Sequence, residues 1–178
     1  MTTSELAARV SERALLRGQF VLRSGKRSTV YLDKYRFETD PALLRPIGAA
    51  LAALARERGG DFELLAGPEL GAVPLVTALA LELDVPFVIV RKQAKGYGTE
   101  KRLEGVYDDG SRVLLVEDVV TSGGAALSAV EGLREAGLEV DVALCVLDRG
   151  EGGAETLEAT GVTLHPLFDR AALGLDVA

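Results

Sequence analysis

Short apolar runs alternate along the chain with longer amphipathic segments. The apolar runs predict strands at residues 62–66, 85–90, 113–116, 140–147 and 162–167. The run at 113–116 is apolar throughout, which is typical of a strand buried on both faces of a parallel sheet. The amphipathic segments predict helices over residues 4–17, 41–58, 72–83, 125–136 and 154–160. This alternation predicts an α/β fold, with a parallel sheet flanked by helices on both faces.

Capping residues set two of the predicted helix boundaries. Ser4 is a candidate N-cap of the first helix, and Gly18 ends that helix. Asp40 followed by Pro41 is a strong start for the second helix, because aspartate caps the first turn and proline fits its first position. The glycines at 59 and 60 end the second helix.

Two further segments predict β-hairpins. In residues 20–33 a short strand leads to a turn at Ser24 and Gly25, and a second strand follows at 29–33. In residues 103–110 the turn lies at Asp109 and Gly110. The length of 178 residues is enough for a full core and predicts a single domain over residues 1–178.

Composition narrows the class of protein. Apolar residues make up 48% of the chain, which is ordinary for a globular protein, and no apolar run reaches the ~20 residues of a membrane span. The first residues lack a basic start followed by an apolar segment, so we expect no signal peptide. The single cysteine, Cys145, lies in an apolar run, which predicts a core residue and fits a reducing cytoplasm.

Charge is distributed unevenly. The formal net charge of −7 argues against non-specific binding of nucleic acid. Residues 91–102 nevertheless hold five basic residues and one acid, with glycines at 96 and 98 and no apolar periodicity. A charge run is often only a solvated face. Its place directly after a predicted strand favours a mobile lid over an anionic site.

Residues 112–126 carry the most informative pattern. Two adjacent acids, Glu117 and Asp118, follow the buried strand, and a small-residue turn at 121–124 leads into a helix. Glycines let the backbone approach an anion, and the helix start offers it unpaired N–H groups. Thr121 and Ser122 add hydroxyl donors, and carboxylates are acceptors suited to the vicinal hydroxyls of a sugar. The pattern therefore predicts a site for a ribose phosphate.

Ordinary structure is the alternative interpretation of this stretch. Strand–turn–helix units occur in any parallel α/β protein, and Ser122 could serve only as an N-cap. Two acids that abut a buried strand repel each other, which favours a nearby cation or hydroxyl-rich ligand. A second such unit has its turn at residues 67–71; it is another candidate anion site, or an ordinary connection.

Residues 112–126 resemble the phosphoribosyl-diphosphate binding motif of the type I phosphoribosyltransferases: a hydrophobic strand, two acids and a Thr/Ser/Gly loop. Glu117 stands where many members carry Asp, and both residues supply a carboxylate. In that family the loop that matches residues 67–71 binds the diphosphate, largely through backbone N–H groups.

Two segments resemble the orotate phosphoribosyltransferases in particular. Residues 20–33 are similar to the N-terminal signature of that family, and Arg23 holds the place of a basic residue that contacts the substrates. Residues 148–153 resemble a segment whose arginine, here Arg149, recognises orotate.

The basic run resembles the catalytic loop of the same family. Arg91, Lys92 and Lys95 match its basic positions, and Tyr97 stands where many bacterial members have His. In the family the lid lysine reaches the neighbouring subunit's site. The resemblance therefore implies a homodimer in which the lid is shared between subunits.

The resemblance implies the type I phosphoribosyltransferase fold with a small N-terminal hood at roughly residues 18–36. It implies transfer of the 5-phosphoribosyl group from phosphoribosyl diphosphate to orotate, giving orotidine 5′-monophosphate and diphosphate in de novo pyrimidine biosynthesis. The catalytic residues implied are Lys92, Lys95 and Asp118. The residues implied to bind orotate are Arg23, Thr121 and Arg149. Phosphoribosyl diphosphate is implied to contact Arg91, Lys92, Lys95, Tyr97, Glu117, Asp118, Val119, Val120, Thr121, Ser122, Gly123, Gly124 and Ala125, with Pro68, Glu69, Leu70 and Gly71 as the diphosphate loop.

The resemblance also implies Mg²⁺, held mainly by substrate oxygens and without direct protein ligands. The expected partners are the two small substrates and a second copy of the chain, with no nucleic acid and no membrane, in the cytoplasm. Two alternatives stay open on the residues alone. One is a phosphoribosyltransferase that acts on a purine, and the other is a regulator that kept the ligand pocket and lost catalysis.

Overall fold

The computed structural model describes residues 1–21, 25, 27–92 and 102–175, in which helices and strands alternate. The helices are α1 (Thr3–Ala14), α2 (Tyr35–Glu38), α3 (Pro41–Arg58), α4 (Ala72–Leu83), α5 (Gly124–Glu135) and α6 (Gly153–Glu158). The strands are β1 (Leu15–Val21), β2 (Arg27–Leu32), β3 (Leu64–Pro68), β4 (Phe87–Val90), β5 (Leu103–Glu104), β6 (Arg112–Val120), β7 (Glu139–Asp148) and β8 (Thr163–Phe168).

Six strands form the main sheet, in the order β5-β4-β3-β6-β7-β8. Every pairing from β4 to β8 is parallel, and β5 pairs with β4 in the antiparallel sense. The predicted α/β fold is confirmed, with a sheet that is mixed because of its β5 edge. The strand order reverses between β3 and β6, and ligands of open α/β sheets bind at such a switch point, at the carboxyl ends of the strands.

Alternate residues of the central strands pack on opposite faces of the sheet, as strand geometry requires. On one face Leu65 and Leu114 pack with apolar residues of α1, α2, α3 and α4. On the other face Leu64 and Leu115 pack with apolar residues of α5 and α6. Because both faces of β3 and β6 are covered, their carboxyl ends are the parts left open to a ligand.

Strands β1 and β2 form a separate two-stranded antiparallel sheet, the hood, in which Leu15 pairs with Leu32 and Val21 with Arg27. This confirms the predicted hairpin; its turn at residues 22–24 and 26, Arg23 included, lies outside the described residues. The predicted end of the first helix is wrong. The helix ends at Ala14, because the next residues pair with β2 instead of continuing the helical spacing.

Other predicted boundaries also need correction. The N-cap of α1 is Thr2 and not Ser4, because Thr2 forms a capping box with Glu5. Residues 103–110 are not a hairpin, because Leu103 and Glu104 pair with β4. The short helix α2 was not predicted.

Several predictions at the element level are confirmed. Asp40 caps α3 by accepting a hydrogen bond from the backbone N–H of Ala42 at 3.0 Å, and Pro41 occupies the first turn. Cys145 is fully buried in β7. Among the described residues, none of the helices is long and apolar enough to cross a membrane.

Candidate active site

Strand β6 carries the two acids into the edge of the sheet. The strand extends beyond its predicted end at Val116, because its pairing with β7 continues to Val120. Glu117 and Asp118 therefore lie within the strand and are only 6% and 5% exposed. Two buried carboxylates side by side are costly unless a cation or a ligand compensates them.

The predicted diphosphate loop lies directly against the second acid. Pro68 ends β3, a cis peptide bond joins Glu69 to Leu70, and Gly71 precedes α4. A Cβ atom at Gly71 would lie 1.9 Å from Oδ2 of Asp118, so a larger residue would force the loop or the carboxylate to move. The fold thus brings the turn after β3 and the acids of β6 together at the switch point.

The small-residue turn after β6 is braced by its neighbours. Gly123 adopts a φ of 83°, and α5 begins at the next residue. The hydroxyl of Thr156 donates a hydrogen bond to the carbonyl of Ser122 at 3.0 Å. A Cβ at Gly153 would lie 2.3 Å from Cγ1 of Val120, so α6 starts in close contact with this turn. Ser122 is not the N-cap of α5, which corrects the ordinary-structure interpretation.

Arg149 lies beside the same turn. Its backbone N–H donates to the carbonyl of Val120 at 2.9 Å, next to Thr121. Its guanidinium is partly exposed and forms an ion pair with Glu151, with Nε and Oε1 3.1 Å apart. The two described candidates for orotate binding, Thr121 and Arg149, are therefore adjacent.

The start of the predicted lid is fastened to the sheet and to the diphosphate loop. The backbone of Arg91 pairs with Arg102, and its guanidinium lies 3.7 Å from Oε1 of Glu104 on β5. The backbone N–H of Lys92 donates to Oε1 of Glu69 at 2.8 Å. The remaining lid candidates, Lys95 and Tyr97, lie outside the described residues.

Comparison with known proteins decides the family. A family model for the phosphoribosyl transferase domain matches residues 36–164. An orotate phosphoribosyltransferase from Methanocella arvoryzae is 48% identical over 156 residues, which cover 88% of this chain and 87% of that protein. One from Pyrococcus furiosus is 48% identical over 158 residues, which cover 89% of this chain and 87% of that protein.

A solved structure agrees. The orotate phosphoribosyltransferase of Mycobacterium tuberculosis in complex with phosphoribosyl diphosphate superposes with a TM-score of 0.83 at 32% identity, covering 97% of this chain and 99% of that one. The chain belongs to the orotate phosphoribosyltransferase family. The predicted family, fold class and enzyme class are confirmed, and the purine alternative loses its support.

Reasoning from sequence missed two charged residues at the candidate active site. The ammonium of Lys34, which follows the hood, donates a hydrogen bond to Oδ2 of Asp118. Glu38 on α2 is only 1% exposed. Neither residue stands in a motif or in a periodic segment. The sequence shows that Glu38 is charged, but its burial depends on the fold.

Two acids at the candidate site, Glu117 and Glu38, have raised pKa values. Burial, reinforced by the charge of Asp118, raises the pKa of Glu117 to about 8. The same two causes raise the pKa of Glu38 to about 8. Burial alone would lower the pKa of Lys34, but the hydrogen bond to Asp118 and the charges of Asp118 and Glu38 outweigh it and raise that pKa. Such perturbed groups cluster at functional sites.

Proposed function

We propose that this chain transfers the 5-phosphoribosyl group from phosphoribosyl diphosphate to orotate, forming orotidine 5′-monophosphate and diphosphate in de novo pyrimidine biosynthesis. The observation that carries the proposal is the contact of Gly71 with Asp118. This contact brings the predicted diphosphate loop against the buried acid pair, which leads directly into the other predicted anion-binding loop. Similarity to orotate phosphoribosyltransferases over most of the chain supports this choice of substrates.

The acid pair and the turn after it bind the ribose 5-phosphate part of the substrate. Glu117 and Asp118 accept hydrogen bonds from the ribose hydroxyls. Backbone N–H groups and hydroxyls of the phosphate loop hold the 5′-phosphate, at a helix start that favours anions. This loop comprises Val119, Val120, Thr121, Ser122, Gly123, Gly124 and Ala125.

The diphosphate loop and the lid bind the leaving group. Leu70 and Gly71 present backbone N–H groups at the start of α4, and Pro68 and Glu69 complete the diphosphate loop. The cations of Arg91, Lys92 and Lys95, together with Tyr97, close over the diphosphate and neutralise the charge that develops on it. The hydrogen bond from Lys92 to Glu69 supports this arrangement, because it already joins the lid to the loop.

Orotate binds beside the phosphate loop. Arg149 pairs with the orotate carboxylate, since a guanidinium matches a carboxylate with two parallel hydrogen bonds. Thr121 and Arg23 complete the orotate contacts. Arg149 forms an ion pair with Glu151, and orotate offers the same guanidinium a carboxylate.

The reaction is a displacement at the anomeric carbon of the ribose. The bond to diphosphate breaks, positive charge builds on the ring, and the orotate nitrogen forms the new bond from the opposite face. The protein supplies no nucleophile; it positions the two substrates and stabilises charge. The carboxylate of Asp118 can stabilise the positive charge that builds on the ring.

Mg²⁺ fits this site as a partner of the substrate's diphosphate and ribose oxygens, because hard cations take oxygen ligands. When bound, the ion spreads the negative charge of the leaving diphosphate. In the ranges that the structure describes, no group of three or more His, Cys, Asp or Glu side chains is placed to hold a metal ion. Substrate oxygens are the ligands that we propose for the ion.

We further propose that residues 1–178 form one domain, that the chain works as a homodimer in which Lys95 reaches the partner's pocket, and that it acts in the cytoplasm. The lid has little apolar content to pack on its own domain, which supports sharing. The lone buried thiol of Cys145 supports a reducing compartment.

Turnover with alternative bases tests the proposed function. Orotate should react, whereas uracil, which lacks the carboxylate, should lose roughly 2–5 kcal/mol of transition-state stabilisation, because it cannot make the charge-assisted contact with Arg149. Initial rates with phosphoribosyl diphosphate and Mg²⁺ give kcat/KM for each base. Arg149→Met should narrow the ratio between the two bases, while the exposed Arg13→Met on α1 serves as a matched control.

Equal kcat/KM for orotate and uracil would contradict the orotate assignment. Faster reaction with hypoxanthine would favour the purine alternative. Binding of phosphoribosyl diphosphate without turnover of any base would identify a regulator.

A further inference from the structure

Lys34 forms a hydrogen bond with Asp118, although Lys34 lies outside every motif of the sequence. It follows β2 and starts α2, and its ammonium donates to Oδ2 of Asp118. The other oxygen, Oδ1, accepts from the backbone N–H of Val119. A carboxylate has about four acceptor sites, so these two hydrogen bonds fix the carboxylate and still leave lone pairs for hydroxyl donors.

The pair is enclosed and is not a solvated surface ion pair. The Asp118 side chain is 7% exposed, and that of Lys34 is 32% exposed. A Cβ at Gly71 would lie 2.8 Å from Nζ of Lys34 as well as 1.9 Å from Oδ2 of Asp118. The ammonium therefore lies at the junction of hood, diphosphate loop and acid pair.

Other carboxylates surround this ammonium. Glu38 lies one turn after Lys34 on α2, and neither of its buried oxygens has a hydrogen-bond partner among the described residues. Glu117 acts on Asp118 from the same strand, and the charge of Asp33 acts on Glu38 from the end of the hood. The other titratable groups that face the pair are Tyr35, whose ring lies 5.5 Å from Nζ of Lys34, and the buried thiol of Cys145.

We propose that Lys34 is a positioning residue that orients the Asp118 carboxylate toward the ribose hydroxyls. The inference rests on the proposed role of Asp118 in binding ribose. A purely structural ion pair, which only ties the hood to the sheet, is the alternative to be tested.

The test is KM for phosphoribosyl diphosphate in Lys34→Met, with Mg²⁺ and saturating orotate. Without the ammonium, Asp118 loses the donor that fixes its Oδ2 atom. KM should rise about tenfold, as expected for loss of a charge-assisted hydrogen bond that positions the carboxylate. The change in kcat should be smaller.

Two further variants separate positioning from structure. Lys34→Arg should restore KM, because it returns a cation. Arg36→Met is the matched control on α2; it breaks a surface ion pair with Asp33 and should leave KM unchanged.

The inference is overturned if folded Lys34→Met keeps the wild-type KM, if Lys34→Arg does not restore KM, or if kcat falls as much as KM rises, as a structural role predicts. It is also overturned if Arg36→Met raises KM as much as Lys34→Met does. If Lys34→Met does not fold, Lys34→Gln is measured under the same criteria. Failure of the proposed function is distinguishable, because Asp118→Asn would then bind phosphoribosyl diphosphate as well as wild type does.

Discussion

At the scale of single residues, Glu117 combines burial with an incomplete set of partners. It is 6% exposed, and Oε1 has no hydrogen-bond partner among the described residues. Such a group destabilises the folded state, and it persists where function requires it. In this site the missing partner is expected to be a ribose hydroxyl.

The raised pKa of Glu117 predicts how stability depends on pH. Near pH 4.5 and below, the carboxyl is protonated in the unfolded chain as in the folded one; between about pH 4.5 and 8 only the folded chain keeps the proton. The free energy of unfolding should therefore fall as the pH rises through this window. Glu117→Gln should remove this loss and be roughly 1–3 kcal/mol more stable than wild type near pH 9, with little difference near pH 5.

Urea unfolding of both proteins at the two pH values measures this difference. The exposed Glu139→Gln at the start of β7 is the matched control and should show no pH-dependent gain. A Glu117→Gln gain that is the same at both pH values would contradict a buried carboxyl with a raised pKa.

At the scale of elements, local chemistry decided what could be predicted. Asp40 and Pro41 fixed the start of α3, because capping depends on neighbouring residues. The boundary between α1 and β1 could not be predicted, because Leu15 suits a helix and turns to strand only through pairing with Leu32. Strand β5 is two residues long and exists only through its pairing with β4.

The same distinction applies to the site. Glu117, Asp118 and the turn that follows them are contiguous, so a motif marks them. Lys34 reaches Asp118 across 84 positions of sequence, and Glu38 is buried by the same tertiary contact between hood and sheet. No local pattern encodes that contact.

The turn between β3 and α4 provides a prediction at this scale. Gly71→Ala places a methyl group 1.9 Å from Oδ2 of Asp118, so either the loop or the carboxylate must move. We expect a loss of about 1–3 kcal/mol in stability and at least a roughly tenfold lower kcat/KM for phosphoribosyl diphosphate. Thermal unfolding and initial rates measure the two effects.

Gly124→Ala is the matched control for stability alone, because a Cβ at the start of α5 meets no atom within 4 Å. It should keep or slightly raise the stability, as alanine does in a helix. If Gly71→Ala is as stable as Gly124→Ala and keeps the wild-type kcat/KM, the loop does not pack on Asp118 as described.

At the scale of the whole molecule, subunit mixing tests the proposed sharing of the lid. Lys95→Ala and Asp118→Asn proteins, each nearly inactive, are mixed and allowed to exchange subunits. In a mixed dimer with shared sites, one site carries both defects and the other carries neither. Random exchange makes about half of the dimers mixed, so about a quarter of wild-type activity should return.

Differently tagged subunits provide the control for exchange. If exchange occurs and no activity returns, every site keeps one defect, and Lys95 serves the pocket of its own subunit. The proposed shared lid would then be wrong, while the orotate assignment would stand.

The separate hood has a consequence for which part of the molecule opens first. Two strands without a third neighbour are marginally stable in water, and among the described strands β1 and β2 pair only with each other. Their backbone amides should exchange deuterium through local opening, at a far lower free energy than those of β6, which pairs on both sides.

Exchange measured by mass spectrometry, with and without phosphoribosyl diphosphate, should show the hood becoming protected on binding. Equal protection of β1 and β6 in the free protein would contradict this. Ligand entry would then require local opening of the hood, the less stable of the two sheets. Strand β6, which carries the acids, would keep its hydrogen bonds.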